Sequence, residues 1–133
     1  MIFDQVLRRF DGTAYALLRI VSGAAFAFHG MQKILGVLST HQPEVGSQLW
    51  IGGLIELVAG LMVAVGWRTP IAAFLSSGTM AVAYTQFHWK LQMDRGFFPA
   101  VNEGELALIY AFVFLFIATR GAGKWSVDRT GGV

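Results

Sequence analysis

The chain has 133 residues, of which 55% are hydrophobic and only 14% charged, and its net charge is +2. Soluble domains carry about 25% charged residues, so a full aqueous surface is hard to build here and a membrane protein is the leading class. The absence of cysteine excludes disulfides, thiol redox chemistry, iron–sulfur clusters and thiolate zinc sites within the chain, and no basic run with interleaved aromatics points to nucleic acid as a partner.

The opening MIFDQVLRRFDG does not read as a cleaved signal. It carries Asp4 and Asp11, and the apolar run that follows has no small-x-small cleavage site before it meets charge. Arg8-Arg9 echoes a twin-arginine signal only weakly, and a cytoplasmic anchor for the first helix is the better reading.

A bilayer core needs ~20 apolar residues per helix. Four windows fit, at about 13–38, 49–66, 70–89 and 103–119, which predicts an all-α, four-helix transmembrane bundle forming a single domain over residues 1–133. Thr69-Pro70 is a cap followed by proline at a first helical position. Trp50, Trp67, Trp89 and Trp125 all fall at span ends, where an amphipathic ring suits the membrane–water boundary. With four spans both termini share one side. That side collects Arg8, Arg9, Arg68, Arg120, Lys124 and Arg129, against Lys33, Lys90 and Arg95 opposite. The excess places the termini in the cytoplasm and the chain in the inner membrane.

Depth along each span, at ~1.5 Å per residue, sorts the polar residues. His29 and Lys33 lie towards the outer end of span one, and Glu56 lies in the outer half of span two. Gln86 and His88 end span three, and Asn102, Glu103 and Glu105 open span four. Of the titratable groups in the spans, Arg19 alone lies near the inner side. His29 and Lys33 are four apart and share a helical stripe. Gly52, Glu56 and Gly60 are likewise four apart, with Gly53 beside them, and make a small-residue seam around one carboxylate. On span three, Ser77, Ala81, Tyr84 and His88 share a face. A carboxylate facing lipid costs about 2.5–3.5 kcal/mol, so Glu56 is expected to face inward and meet Lys33 and His29, with Glu105 as a further member. Arg19, His29, Lys33, Glu56, Gln86, His88, Asn102 and Glu105 are thus the candidate binding residues, with no metal ligand set among them.

Each residue also has a purely structural reading. The Lys33–Glu56 pair can act as glue that sets helix register. His88, beside Trp89, suits an interfacial anchor, and His41 a solvated loop. Arg19 can snorkel to the inner headgroups. Glu103 suits the positive end of a helix dipole, and Asn102 an N-cap.

Three stretches carry a resemblance: LRIVSGAAFAFHGMQKILG, GGLIELVAGLMVAVGWRTPIAA and NEGELALIYAFVFLFIATRGAGKWSVD. In this order and spacing they resemble the DoxX family of small four-helix membrane proteins over nearly the whole chain. The pattern picks out Arg19, Gly23, His29, Gly30, Lys33, Glu56, Gly60, Asn102, Glu105, Gly123 and Asp128; Glu103 stands where small residues are common. The resemblance implies membrane redox association, because the family takes its name from a quinol-linked, thiosulfate-oxidising complex and other members look like accessory subunits of oxidoreductase assemblies.

Three functions compete. A quinone-interacting or accessory subunit would use His29, Lys33, Glu56 and Glu105 on the head group, with Phe26, Phe28, Tyr84, Phe87, Phe97 and Phe98 lining an apolar slot. A bis-histidine haem between His29 and His88 has little support, since two lone histidines make no haem motif. A scaffold would use the Gly and Ala seams to pack on other chains. A proton or small-solute transporter would gate at the buried pair, but four helices are few for a pathway. The expected partners are the lipid bilayer and either a second copy or other membrane subunits.

Overall fold

The computed structural model describes residues 1–128, so Arg129, counted above among the basic residues, lies outside the described residues. Helix α1 spans Ile2–Arg8, α2 Asp11–Leu35, α3 Gln48–Val65 and α4 Thr69–Ala83. The chain continues from α4 into a π-helical turn, Tyr84–Trp89, then a 3₁₀ turn, Arg95–Phe97, short α5, Pro99–Asn102, and α6, Glu105–Arg120. Among the described residues there is no strand.

Local chemistry explains where these elements depart from the expected windows. Helix α2 stops at Leu35 because Gly36 takes the left-handed conformation, φ 68°, as its C-cap. In the third window the Ala81 carbonyl accepts from both Thr85 Oγ1, at 2.8 Å, and the Tyr84 amide. The Lys90 amide donates to the Thr85 carbonyl, five residues back rather than four, at 2.8 Å. The widened turn re-aims the helix end, and Ala81, expected on the face of Ser77 and His88, is exposed. In the fourth window Glu103 is left-handed, φ 60°, so α6 begins at Glu105. Asn102 is the last residue of α5 rather than the N-cap of that span, although its Oδ1 still accepts from the Gly104 amide at 2.8 Å.

Helices α2 and α3 run antiparallel at glycine-limited distance. A Cβ on Gly60 would lie 2.6 Å from the Ala27 nitrogen, and one on Gly23 2.8 Å from the Gly60 oxygen. One turn pair further, a Cβ on Gly30 would lie 2.6 Å from the Gly53 oxygen. These approaches are too close for any side chain, so the seam is Gly53, Glu56 and Gly60. Gly52, expected in it, faces open space. Helix α4 packs on α6 and on α3, with Ser77 Oγ donating to the Ala111 carbonyl at 2.7 Å. Phe26 of α2 reaches α6 directly, its ring 4.7 Å from Phe114 and 5.6 Å from Tyr110. Phe26, Val63, Met80, Phe114 and Ile117 form the buried core.

The chain ends close over one end of the bundle. Arg19 is fully buried. Its Nη1 donates to the Val63 and Ala64 carbonyls at 2.8 and 2.7 Å, and its Nη2 to those of Lys124 and Trp125 at 2.9 and 2.7 Å. Arg19 therefore ties the C-terminal segment to the end of α3; it does not snorkel outward. Asp128 then accepts from the amides of Arg68 at 2.7 Å and Thr69 at 2.8 Å. It caps α4 from across the chain, since Arg68, the N-cap residue, is left-handed and supplies no side-chain cap. Arg120 pairs with Asp11 at 2.6 Å across the same end.

Two outcomes check this packing. Gly60→Ala is expected to cost about 1–3 kcal/mol in chemical unfolding followed by circular dichroism, whereas Gly52→Ala should be neutral or slightly stabilising. The Thr69 amide is the main reason the Asp128 carboxyl sits below its ordinary pKa, helped by the Arg68 amide. A lowered folded pKa means stability that is present above the ordinary carboxylate range and lost as pH falls through the folded value. Asp128→Ala should therefore cost about 1–2 kcal/mol at neutral pH, and its difference from wild type should shrink as unfolding is measured at progressively more acidic pH.

Candidate functional site

The opposite end of the bundle gathers the C-terminal half of α2, the first half of α3, the π-helical turn and the start of α6. Lys33 Nζ donates to Glu56 Oε1 at 2.7 Å. Glu56 is 3% exposed, while the Lys33 side chain remains 33% exposed. The glycine seam makes this reach possible. A Cβ on Gly53 would lie 2.7 Å from that of Lys33, so the lysine stem crosses α3 over a bare backbone. Glu56 Oε2 is buried and accepts no hydrogen bond.

Beside the pair lies a cavity of about 280 Å³, bordered by Phe26, His29, Lys33, Glu56, Phe87, His88, Glu103 and Tyr110 among others. His29 and His88 thus border one space from different helices. His88 comes to it on the π-helical turn, which its ring helps fasten, Nδ1 lying 3.2 Å from the Asn102 carbonyl oxygen. Asn102 holds the adjoining loop: its Nδ2 donates to the Gly96 carbonyl at 2.9 Å and to the Tyr84 hydroxyl at 3.3 Å. Gly104 is buried against this turn, where a Cβ would lie 2.7 Å from the His88 Cβ. A larger apolar groove of about 920 Å³ runs between α3 and α4. Lys33, Leu49, Glu56, Met80, Ala83 and Phe87 border both spaces.

Of the predicted residues, His29, Lys33, Glu56 and His88 come together, and Asn102 supports them from the loop. Three do not join. Arg19 serves the far end. Gln86 is exposed and accepts from Gln48 Nε2. Glu105 is exposed in the first turn of α6, one residue after the chain turns outward at Glu103 and Gly104. Phe26 and Phe87 border the cavity, but Phe28 is 39% exposed, and Phe97 packs on Trp89 and Phe98 outside it. Tyr110 was not expected. Its signal was available, as the one polar side chain in the middle of LALIYAFVFLF. Among the described residues no group of three His, Cys, Asp or Glu could hold a metal ion.

The DoxX family model matches residues 14–89, a stretch that includes the glycine seam, the Lys33–Glu56 pair and His88. A protein of Haemophilus influenzae, described as uncharacterized, is 38% identical over 118 residues, covering 86% of this chain and 87% of its own length. No solved structure matches the chain.

Removing one member of the pair should expose what it holds. Lys33→Met leaves a buried carboxylate without its cation and should cost about 3–5 kcal/mol. Combining it with Glu56→Gln should recover most of that loss, a coupling read from a double-mutant cycle of unfolding free energies.

Proposed function

The chain belongs to the DoxX family, and from that premise we propose that it is a four-span protein of the inner membrane that binds a quinone-type head group as a subunit of an oxidoreductase assembly. Two helices, Asp11–Leu35 and Gln48–Val65, are long and apolar enough to cross a membrane by length and composition. The shorter α4 and α6 are read as spans from what they leave uncovered. Ile71 and Phe74 on α4, and Ile109 and Phe112 on α6, are each 59–67% exposed, which is costly in water and natural in acyl chains. Helix α1 adds Ile2 and Phe3, likewise exposed, on a helix that ends at Arg8, as in a helix lying in the interface. The end closed by Arg19, Asp128 and Arg120 is read as cytoplasmic from its basic residues.

The observation that carries the binding role is the cavity at the Lys33–Glu56 pair, which has room for a single substituted ring. It joins a few polar groups to aromatic walls, the usual composition of a small-ligand site. Lys33 offers N–H donors, and Glu56, His88 and Tyr110 offer further polar atoms. The chain contributes binding and orientation, and electron transfer falls to a partner subunit.

Native mass spectrometry of the protein extracted from its membrane should show a bound lipid-soluble quinone. The Lys33→Met, Glu56→Gln double variant should carry none while keeping its helical content. A wild-type protein that carries no quinone and takes up none when supplied would sink the reading.

A further inference from the structure

We propose that the end closed by Arg19 and Asp128 is a docking face for anionic phospholipid head groups, with α1 laid on the leaflet and its basic end on the phosphates. This inference rests on the four-span membrane reading above and not on the quinone-type ligand.

Helix α1 carries a complete amphipathic pattern. Ile2, Phe3, Val6 and Leu7 fall on one side at helical spacing, and Asp4, Gln5 and Arg8 on the other. None of its residues is buried, and Ile2, Phe3 and Leu7 are 82%, 70% and 54% exposed. The bundle therefore leaves the apolar stripe uncovered. An isolated helix shorter than about 12–15 residues is marginal in water, and α1 has 7. A surface outside the chain has to hold it.

The charges at this end identify that surface. Its three carboxylates are already engaged: Asp4 by the Met1 nitrogen at 3.4 Å, Asp11 by Arg120 at 2.6 Å, and Asp128 by the Arg68 and Thr69 amides. Arg8, Arg9, Arg68 and Lys124 are exposed, and among the described residues none of them has an ion-pair partner. The fold gathers them. Arg19 holds the Lys124 carbonyl, and the lysine stem lies over the start of α2, where a Cβ on Gly12 would be 3.1 Å from its Cε. Arg8 and Arg9 immediately precede that helix. Arg68 lies 5.9 Å above the Trp67 ring, and Trp125, held left-handed at φ 54°, leaves its side chain exposed. Exposed indoles and unpaired cations, at the same end as an uncovered apolar stripe, match the head-group level of an anionic leaflet. Acyl chains take the stripe and phosphates take the cations. A second copy would instead set like charges against these four.

The test places the protein in lipid nanodiscs of phosphatidylcholine alone or mixed in equal parts with phosphatidylglycerol. The chain has no cysteine, so an environment-sensitive dye on Val6→Cys reports the apolar side of α1 and one on Gln5→Cys the polar side. The Val6 label should enter an apolar environment in the mixed discs, and less so in phosphatidylcholine alone or at high salt. The Gln5 label should stay in water in both. Native mass spectrometry of protein released from mixed discs should show phosphatidylglycerol retained over phosphatidylcholine by about tenfold. Arg8→Gln with Arg9→Gln, at positions that bury nothing, should lower that ratio several-fold, whereas Lys90→Gln with Arg95→Gln, at the opposite end, should leave it unchanged. Equal retention of the two lipids, an equal fall in both double variants, or a Val6 label shielded equally in both kinds of disc overturns the anionic docking face. A Val6 label that stays in water in the mixed discs overturns the placement of α1. So does shielding that follows the number of copies per disc instead of the phosphatidylglycerol content, which assigns the stripe to a second copy. A protein that enters no disc takes down the membrane reading and the inference together.

Discussion

The close approach of α2 and α3 is the constraint on which the rest depends. Gly23, Gly30, Gly53 and Gly60 bring the two backbones to distances that no Cβ would survive. Such fitted backbone contact holds the two helices together by close van der Waals packing. The same contact fixes the chemistry at one end. Lys33 crosses α3 where Gly53 has no side chain, and its ammonium arrives at Glu56. A wider spacing would leave that carboxylate alone in an apolar interior, at a cost several times that of the pair. Register and site are thus one feature, because the glycines that set the first also place the second.

The far end solves a different problem with the same economy. Helices leave their last carbonyls and first amides without partners, and where these ends are buried the protein itself must serve them. Arg19 satisfies carbonyls at the end of α3 and in the C-terminal segment together. Asp128 answers the orphan amides at the start of α4. Both act over long sequence separations, so the C-terminal segment closes this end of the bundle. The two ends are then polar for opposite reasons. At one end the Arg19 guanidinium and the Asp128 carboxylate are spent on backbone groups; at the other, Glu56 meets Lys33 through one oxygen and leaves the second without a partner.

Much of this was legible before any coordinates. Periodicity and composition gave the four long helices to within a few residues, since runs such as ALLRIVSGAAFAF leave no alternative. The pairing of Lys33 with Glu56 followed from depth and from the expense of a lone buried carboxylate. What misled were features that spacing cannot resolve. Gly52 and Gly53 both sit on a helical repeat with Gly60, and only packing decides that Gly53 faces α2. Gln86 and Glu105 have the right depth, but depth does not fix azimuth, and both point outward. Arg19 looked like a snorkelling side chain because its partners, four backbone carbonyls, have no sequence signature. The role of Asp128 was hidden for the same reason: its partners are backbone amides 59 and 60 residues away.

The π-helical turn separates the structural reading of this site from the functional one. If the Lys33–Glu56 pair served only to hold register, a regular α-helix through Trp89 would do as well, and it would keep its hydrogen-bond ladder uniform. Instead the backbone widens over six residues, and His88 and Phe87 border the cavity. Such insertions are retained mostly where a side chain must be re-aimed. Asn102 and Gly104 then reinforce the new direction, one by bonding the loop and the other by leaving space for His88. His88 is held from Nδ1 by the Asn102 carbonyl and borders the same cavity as Glu56, whose second oxygen has no partner.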